Sequence, residues 1–280
     1  MAEPQMRRRE LLKASKTWQV RLRALAGLAL LMLPALVALL TSPAIAGNVR
    51  IAVATNFAEP ARRIASDFSA ATGHTTTIST GATGQLYAQI KAGAPFDVFL
   101  AADDKRPLAI ERERLGVQGT RFTYARGRLV LWSADRGRIS GDGRAILAAA
   151  DFRALAIADP KLAPYGEAAR DMLQKLGLWQ SLQPRLVYGS NIGQSHALVA
   201  SGNAELGLVA LSSIVATKNN VAVEQGSMWH VPAELHAPIT QDAVLLAASA
   251  DNDAARAFLA YLKGPDARAV ITTFGYGTDE

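Results

Sequence analysis

The chain has 280 residues, with 30 Lys and Arg against 24 Asp and Glu, and no cysteine. The missing thiol excludes cysteine nucleophiles, zinc–thiolate centres and iron–sulfur clusters, and a fold of this length can be held by core burial without disulfides. The basic excess belongs to the leader: residues 1–46 carry seven of the basic and two of the acidic residues, so the rest is near neutral and gives no reason to expect nucleic acid as a partner.

Residues 1–23 are polar and basic, Ala24 to Leu40 is an uncharged run rich in Leu and Ala, and Ser42-Pro43-Ala44-Ile45-Ala46 follows. That succession predicts a secretory signal peptide over residues 1–46, cleaved after Ala46. The apolar run is short for a membrane span and contains Pro34. Val49 to Ala54 then suits a buried parallel strand. Ala61, Ile64, Ala65 and Phe68 recur at i, i+3, i+4 and i+7, which predicts a helix ended by Gly73. Thr75 to Ser79 is β-branched and reads as a strand. Leu86, Tyr87 and Ile90 mark a helix closed by Gly93. Val98 to Leu100 is the next strand, and Asp104 to Leu115 a charged surface helix.

Arg128 to Ser133 reads as a strand followed by a polar turn over residues 135–143. Ala156 to Ala158 is a strand, and Tyr165 to Leu176 a helix stopped by Gly177. Leu186 to Tyr188 and Leu206 to Ala210 are strands bracketing a helix from about Ile192 to Ala200. Asp242 to Ser249 reads as a late strand, and Ala255, Phe258, Leu259 and Leu262 as a final amphipathic helix. Alternating strands and helices argue for an α/β architecture. No Gly/Ser linker interrupts it, so two lobes would be joined by ordered strands, with crossings at Arg128 to Ser133 and at Ile239 to Leu246.

No G-x-S-x-G elbow, Walker loop or H-E-x-x-H is present. His74, His196, His230 and His236 lack metal-type helical spacing and read as surface or capping residues. Asp97, Asp103 and Asp104 cluster after a strand, where helix capping accounts for the last two. What recurs is a different arrangement. Small or hydroxyl-bearing residues sit where a strand gives way to a helix, at Ala54-Thr55-Asn56, Gly81-Ala82-Thr83-Gly84, Ala163-Pro164-Tyr165-Gly166 and Gly189-Ser190-Asn191-Ile192-Gly193. Helix N-termini present unpaired N–H groups and a partial positive charge, which suits an anion without any lysine. One such loop is ordinarily only a helix cap; four, two in each half, point to an anion or small-ligand cleft.

Residues 51–57, 84–99, 173–179 and 261–265 (Ile51-Ala52-Val53-Ala54-Thr55-Asn56-Phe57, Gly84 to Phe99, Leu173 to Trp179 and Tyr261-Leu262-Lys263-Gly264-Pro265) resemble the molybdate-binding protein family, in order along the whole chain after the leader. The resemblance implies a type II periplasmic binding fold of two α/β lobes, each a mainly parallel sheet flanked by helices. Lobe 1 would comprise residues 47–128 and 239–280, and lobe 2 residues 129–238. It implies a non-enzymatic receptor that holds molybdate, and tungstate with it, as an intact oxyanion and without a cofactor. The site residues it carries over are Thr55, Asn56, Thr83, Tyr165 and, through its backbone N–H, Ile192. It further implies a soluble periplasmic monomer that delivers its ligand to an inner-membrane ABC permease.

Many members of that family carry Ser at the positions of Asn56 and Thr83, and a tyrosine where this chain has Ala210, with a small residue where it has Tyr165. The phenol is therefore expected to have moved from one loop to another. A receptor for sulfate or another tetrahedral oxyanion is the alternative within the class, and an exported enzyme on a related fold the alternative outside it. An amino-acid receptor would need an Arg and Asp pair that these loops lack.

Overall fold

The computed structural model describes residues 46–218 and 221–278; the expected signal peptide falls outside them but for Ala46. The first strand, β1 (Asn48–Ala54), shows how the sequence dictates the layering. Val49, Ile51 and Val53 pack on one face against Phe57, Ala61, Ile64 and Phe68, while Ala52 packs with Leu86, Ile90 and Phe99 on the other. A strand apolar on both faces has to be covered on both, and helices cover it. Helix α1 (Ala58–Thr72) ends at Gly73, whose φ of 75° is the left-handed conformation that glycine adopts without a Cβ penalty.

Strand β2 (Thr75–Gly81), α2 (Thr83–Lys91), β3 (Val98–Leu100) and α3 (Lys105–Arg112) follow. Helix α3 is shorter than the reading over residues 104–115, because the chain turns at Arg114 with φ 58°. Next come β4 (Phe122–Gly127), which the sequence reading did not separate from its surroundings, and β5 (Leu129–Ser133). The second half runs α4 (Gly143–Ala149), β6 (Leu155–Ala158), α5 (Pro164–Lys175), α6 (Trp179–Leu182), β7 (Leu186–Gly189), α7 (Ile192–Ala200) and β8 (Leu206–Ala210). The short strands β9 (Val215–Lys218), β10 (Val221–Glu224) and β11 (Ser227–His230) lead into β12 (Ile239–Leu245), α8 (Asp253–Lys263) and α9 (Pro265–Thr273).

One sheet has the order β2-β1-β3-β12-β4 and the other β11-β5-β8-β6-β7. In the first, β12 is antiparallel to both its neighbours while the other pairs are parallel. In the second, β5 plays the same part. Each sheet therefore has four strands running one way and one against them, which bears out the α/β fold of two mainly parallel sheets. The chain passes from the first sheet to the second across the single residue Arg128, and returns between His230 and Ile239. In the second sheet Leu129, Leu131, Leu155, Ile157 and Leu208 pack on Ala169, Met172 and Leu173 of α5, while Val130, Trp132, Ala156 and Val209 pack with Val199 of α7.

The polar turn read over residues 135–143 is present, and at Gly143 it leads into a helix that the sequence did not mark, α4, whose N-cap Asp142 accepts a hydrogen bond from Arg144 N at 3.0 Å. Two expectations are corrected. The late strand starts at Ile239 and ends at Leu245, because residues 247–249 turn into a 3-10 segment. The helix over residues 253–263 is not the last, since Pro265 takes the first position of a further helix, where its missing N–H costs nothing.

Asp97, just ahead of β3, ties the first sheet together. Its buried carboxylate accepts from Arg50 N (2.6 Å), Arg50 Nε (3.0 Å), Arg50 Nη2 (2.8 Å) and Ser249 Oγ (2.5 Å). Burial by itself raises its pKa, but the bonds from Arg50 and Ser249 outweigh it and hold the group below its ordinary value of 3.8. A depressed pKa contributes stability above the ordinary value and loses it as pH falls through the folded one. Asp97→Asn is expected to lower stability by about 2 kcal/mol at pH 7. Its deficit in urea unfolding should shrink below about pH 4, where the parent carboxyl also takes up a proton.

Candidate functional site

Four segments that begin helices converge on one small cavity. Its lining includes Ala54, Thr55 and Asn56 from the end of β1, and Gly81, Ala82 and Thr83 from the start of α2. Ala163, Pro164 and Tyr165 come from the start of α5, and Asn191 and Ile192 from the start of α7. All five residues singled out in the sequence, Thr55, Asn56, Thr83, Tyr165 and Ile192, are therefore brought together. The first two segments follow strands of the first sheet and the last two strands of the second, so the cavity lies between the sheets. Its volume is about 10 Å³, close to the room one water needs.

The local sequence explains why the helix starts face inward with donors to spare. Alanine stands at the N-cap of both α2 and α5, so neither N-cap side chain accepts a first-turn N–H; at α2 Gln85 Oε1 reaches back to Ala82 N at 3.3 Å. Alanine is a poor choice there, costing about 1 kcal/mol against Ser or Asp. Gly84 lets the second segment press against the third: Gly84 N donates to Leu162 O at 2.9 Å, and a Cβ at residue 84 would lie 2.9 Å from that same oxygen. Gly193 gives Thr55 similar room, since a Cβ there would meet the threonine methyl at 2.4 Å.

The side chains differ in what they have left to offer. Thr83 Oγ1 accepts from Ala102 N at 3.1 Å, which leaves its own proton free. Thr55 Oγ1 donates its proton to Gly81 O at 3.0 Å. Asn56 spends its amide protons on Gln241 Oε1 (2.9 Å) and Tyr276 Oη (3.0 Å). Its Oδ1 is the one buried side-chain polar atom among the described residues that has no hydrogen-bond partner. Tyr165 is buried, and its Oη accepts from Gln241 Nε2 at 3.3 Å. Burial pushes its phenol well above the ordinary value of 10, so it stays protonated and able to donate.

Every residue lining the cavity is uncharged. Charge lies further out, in Asp103, whose pKa is raised by burial against the opposing effect of Arg106, and in the exposed pair Lys105–Glu167 at 3.2 Å. Asp103 rather than Asp104 acts as a cap, accepting from Arg106 N at 2.9 Å. Ala210 is fully buried in the same apolar cluster as Tyr165. The histidines are not all at the surface: His236 is buried, and His196 stacks on Trp132 with ring centres 4.8 Å apart. Among the described residues no group of three or more His, Asp or Glu is placed to hold a metal ion.

The sequence reading missed the residues behind the five. Gln241, Tyr124, Tyr276 and Ser212 form a buried network around Asn56 and Tyr165. Gly127 seats the phenol, since a Cβ there would lie 2.2 Å from Tyr165 Oη. Only the fold brings these residues near, at separations of up to 220 positions, and no local pattern marks them.

Two helix-flanked sheets enclosing an uncharged cavity at helix starts define a receptor for a small solute. The chain belongs to the bacterial extracellular solute-binding protein family, whose model matches residues 49–277. It is 51% identical over 239 residues to the molybdate-binding protein ModA of Azotobacter vinelandii, covering 85% of this chain and 93% of that relative. It is 48% identical over 245 residues to ModA of Rhodobacter capsulatus, covering 88% and 94%. Its fold matches the structure of the Azotobacter vinelandii periplasmic molybdate-binding protein with a TM-score of 0.79 at 40% identity, over 83% of this chain and all of that one. The family resemblance stated from the sequence is borne out.

Gly127→Ala is expected to cost about 1–3 kcal/mol in thermal unfolding, the scale of overpacking a core. Part of that loss should return in the Gly127→Ala/Tyr165→Phe double variant, which removes the crowded oxygen.

Proposed function

We propose that this protein captures molybdate, and tungstate with it, in the cavity at the four helix starts and hands it to an ABC permease of the inner membrane. The observation that carries this reading is that Thr55, Asn56, Thr83, Tyr165 and Ile192 line one uncharged cavity. The similarity to molybdate-binding proteins supports the choice of anion. In this reading the anion stays intact, its oxygens held by backbone N–H groups and by hydroxyl protons such as those of Thr83 and Tyr165, with no metal coordination, no cofactor and no catalysis. The protein acts as a soluble monomer in the periplasm, after removal of residues 1–46.

A tetraoxoanion is larger than a cavity fit for one water, so entry requires the two sheets to part. Lobe 1, residues 47–128 with 239–280, and lobe 2, residues 129–238, hinge at Arg128 and at the return into β12 and close over the ligand. Selection follows from the lining. A dianion with no proton needs only donors, whereas phosphate near neutral pH carries a proton and gains from an acceptor carboxylate, which the lining does not supply. Sulfate is likewise fully ionised and differs from molybdate in being smaller. It is the alternative ligand that the test must separate.

Thermal unfolding with molybdate, tungstate, sulfate and phosphate in turn provides that test. At 100 times its dissociation constant a ligand adds about 2.7 kcal/mol, roughly 5–10 °C for a chain of this size. Molybdate and tungstate are expected to raise the midpoint, and sulfate and phosphate to leave it unchanged. A rise with sulfate alone would transfer the assignment to the sulfate receptors, and no rise with any of them would remove the anion assignment.

Tyr165→Phe is expected to weaken molybdate binding by about 1.5–3 kcal/mol, the scale of a hydrogen bond to a charged group. Unchanged affinity would mean that the phenol has not taken over the role of the tyrosine absent at Ala210. The raised pKa of Tyr165 adds a sign. The donor is present while the phenol is protonated, so calorimetric affinity should stay level from pH 7 to about pH 9.5.

A further inference from the structure

Gln241 lies outside the four segments, on β12, at the irregularity in register between Gln241 and Asp242. Such bulges bend a strand and re-aim a side chain. Gln241 is fully buried, and each end of its amide meets a residue of the cavity wall. Its Oε1 accepts from Asn56 Nδ2 at 2.9 Å and lies 3.1 Å from Tyr124 Oη, while its Nε2 donates to Tyr165 Oη at 3.3 Å. Reversing the amide would set two N–H groups against each other at Asn56, so the asparagine fixes which way the glutamine points.

A phenol has one proton to give and lone pairs to receive. With an N–H of Gln241 on its oxygen, Tyr165 does not spend that proton on the glutamine; without a ligand its neighbouring acceptor is the Tyr276 hydroxyl, which an anion oxygen would have to replace. Gly127 holds the ring where this contact forms, because a Cβ at residue 127 would come within 2.7 Å of Gln241 Nε2 as well as crowding the phenol. The opposite end of the chain closes the arrangement. Tyr276 Oη and Ser212 Oγ both donate to the Asn56 carbonyl, at 2.7 and 2.9 Å, and hold the segment that orients the glutamine.

We infer that Gln241 is a positioning residue of the cavity: its amide, set by Asn56, donates to Tyr165 and so turns the phenol proton toward an oxygen of the bound anion. This rests on reading the cavity as the oxyanion site. Gln241 touches no ligand itself; it determines that Tyr165 meets the ligand as a donor, which favours a fully deprotonated anion over one that brings its own proton.

The test is a double-variant cycle read by calorimetric titration of the full chain with molybdate. Gln241→Met is expected to weaken binding about tenfold in the parent. In the Tyr165→Phe background, where no phenol remains to be oriented, it should weaken binding by no more than about threefold, because residues acting through one another are not additive. The unfolding midpoint without ligand checks that each variant folds. If Gln241→Met does not fold, Gln241→Leu takes its place in the cycle, since it too can neither accept from Asn56 nor donate to Tyr165 and adds no charge; the same non-additive loss is expected. Equal losses in the two backgrounds, or full affinity in the single variant, would overturn the positioning role while leaving the site in place. A parent protein that binds none of molybdate, tungstate and sulfate would overturn both.

Discussion

The fold depends at its centre on one carbonyl oxygen, that of Asn56. It receives hydroxyl protons from Ser212, beside the second sheet, and from Tyr276, near the end of the chain. The Asn56 side chain meanwhile reaches Gln241 on the returning strand. Residues from four distant parts of the chain thus meet at the segment where β1 gives way to its helix. Burial raises the stakes: a polar group left without a partner there costs about 1–3 kcal/mol, so a network this dense is stable only when nearly all its members are satisfied. The unpartnered Asn56 Oδ1 is the exception, on a residue that lines the cavity.

The cavity meets the demands of an anion without a counter-charge. A buried lysine or arginine would attract any anion and would bring its own desolvation cost. Helix starts and neutral hydroxyls offer donors at fixed positions, so recognition depends on shape and on the count of protons rather than on net charge. The local sequence gives up something for this. Ala82 and Ala163 occupy N-cap positions at which Ser or Asp would stabilise the helix. Their short side chains take none of the first-turn N–H groups, and Gly84 N turns instead to Leu162 O of the facing segment.

How far this was legible in the sequence depended on the range of the interaction that sets each feature. The helix over residues 192–200 was read at its observed bounds, because Asn191 caps it and its strand neighbours are short apolar runs. The end of α1 at Gly73 follows from a left-handed residue. The four segments were legible because small and hydroxyl residues at a strand-to-helix junction are a local signal. β4 was not, since Phe122 and Tyr124 alternate with polar residues too briefly to stand apart from β5, which follows after a single residue. α4 was obscured by the glycines around Asp142, and α9 by the proline that begins it. Gln241 and Tyr276 carried no signal at all, because nothing near them in sequence says that they approach Asn56.

The five cavity residues and the residues behind them therefore follow different rules. The former sit at junctions where the backbone supplies much of the chemistry, so Thr83 in place of Ser keeps a hydroxyl donor, while Asn56 turns its amide protons to Gln241 and Tyr276 instead. The latter act through direction. A glutamine and a tyrosine in contact have two ways of sharing protons, and the one adopted here is decided by a third residue, Asn56, whose amide nitrogen faces the glutamine oxygen. A serine at position 56 would offer the glutamine a hydroxyl that can donate or accept, and the direction would no longer be fixed from that side. The asparagine at 56, the tyrosine at 165 and the space at Gly127 are thus a coupled set. Each removes a freedom that the others would otherwise have to restrain.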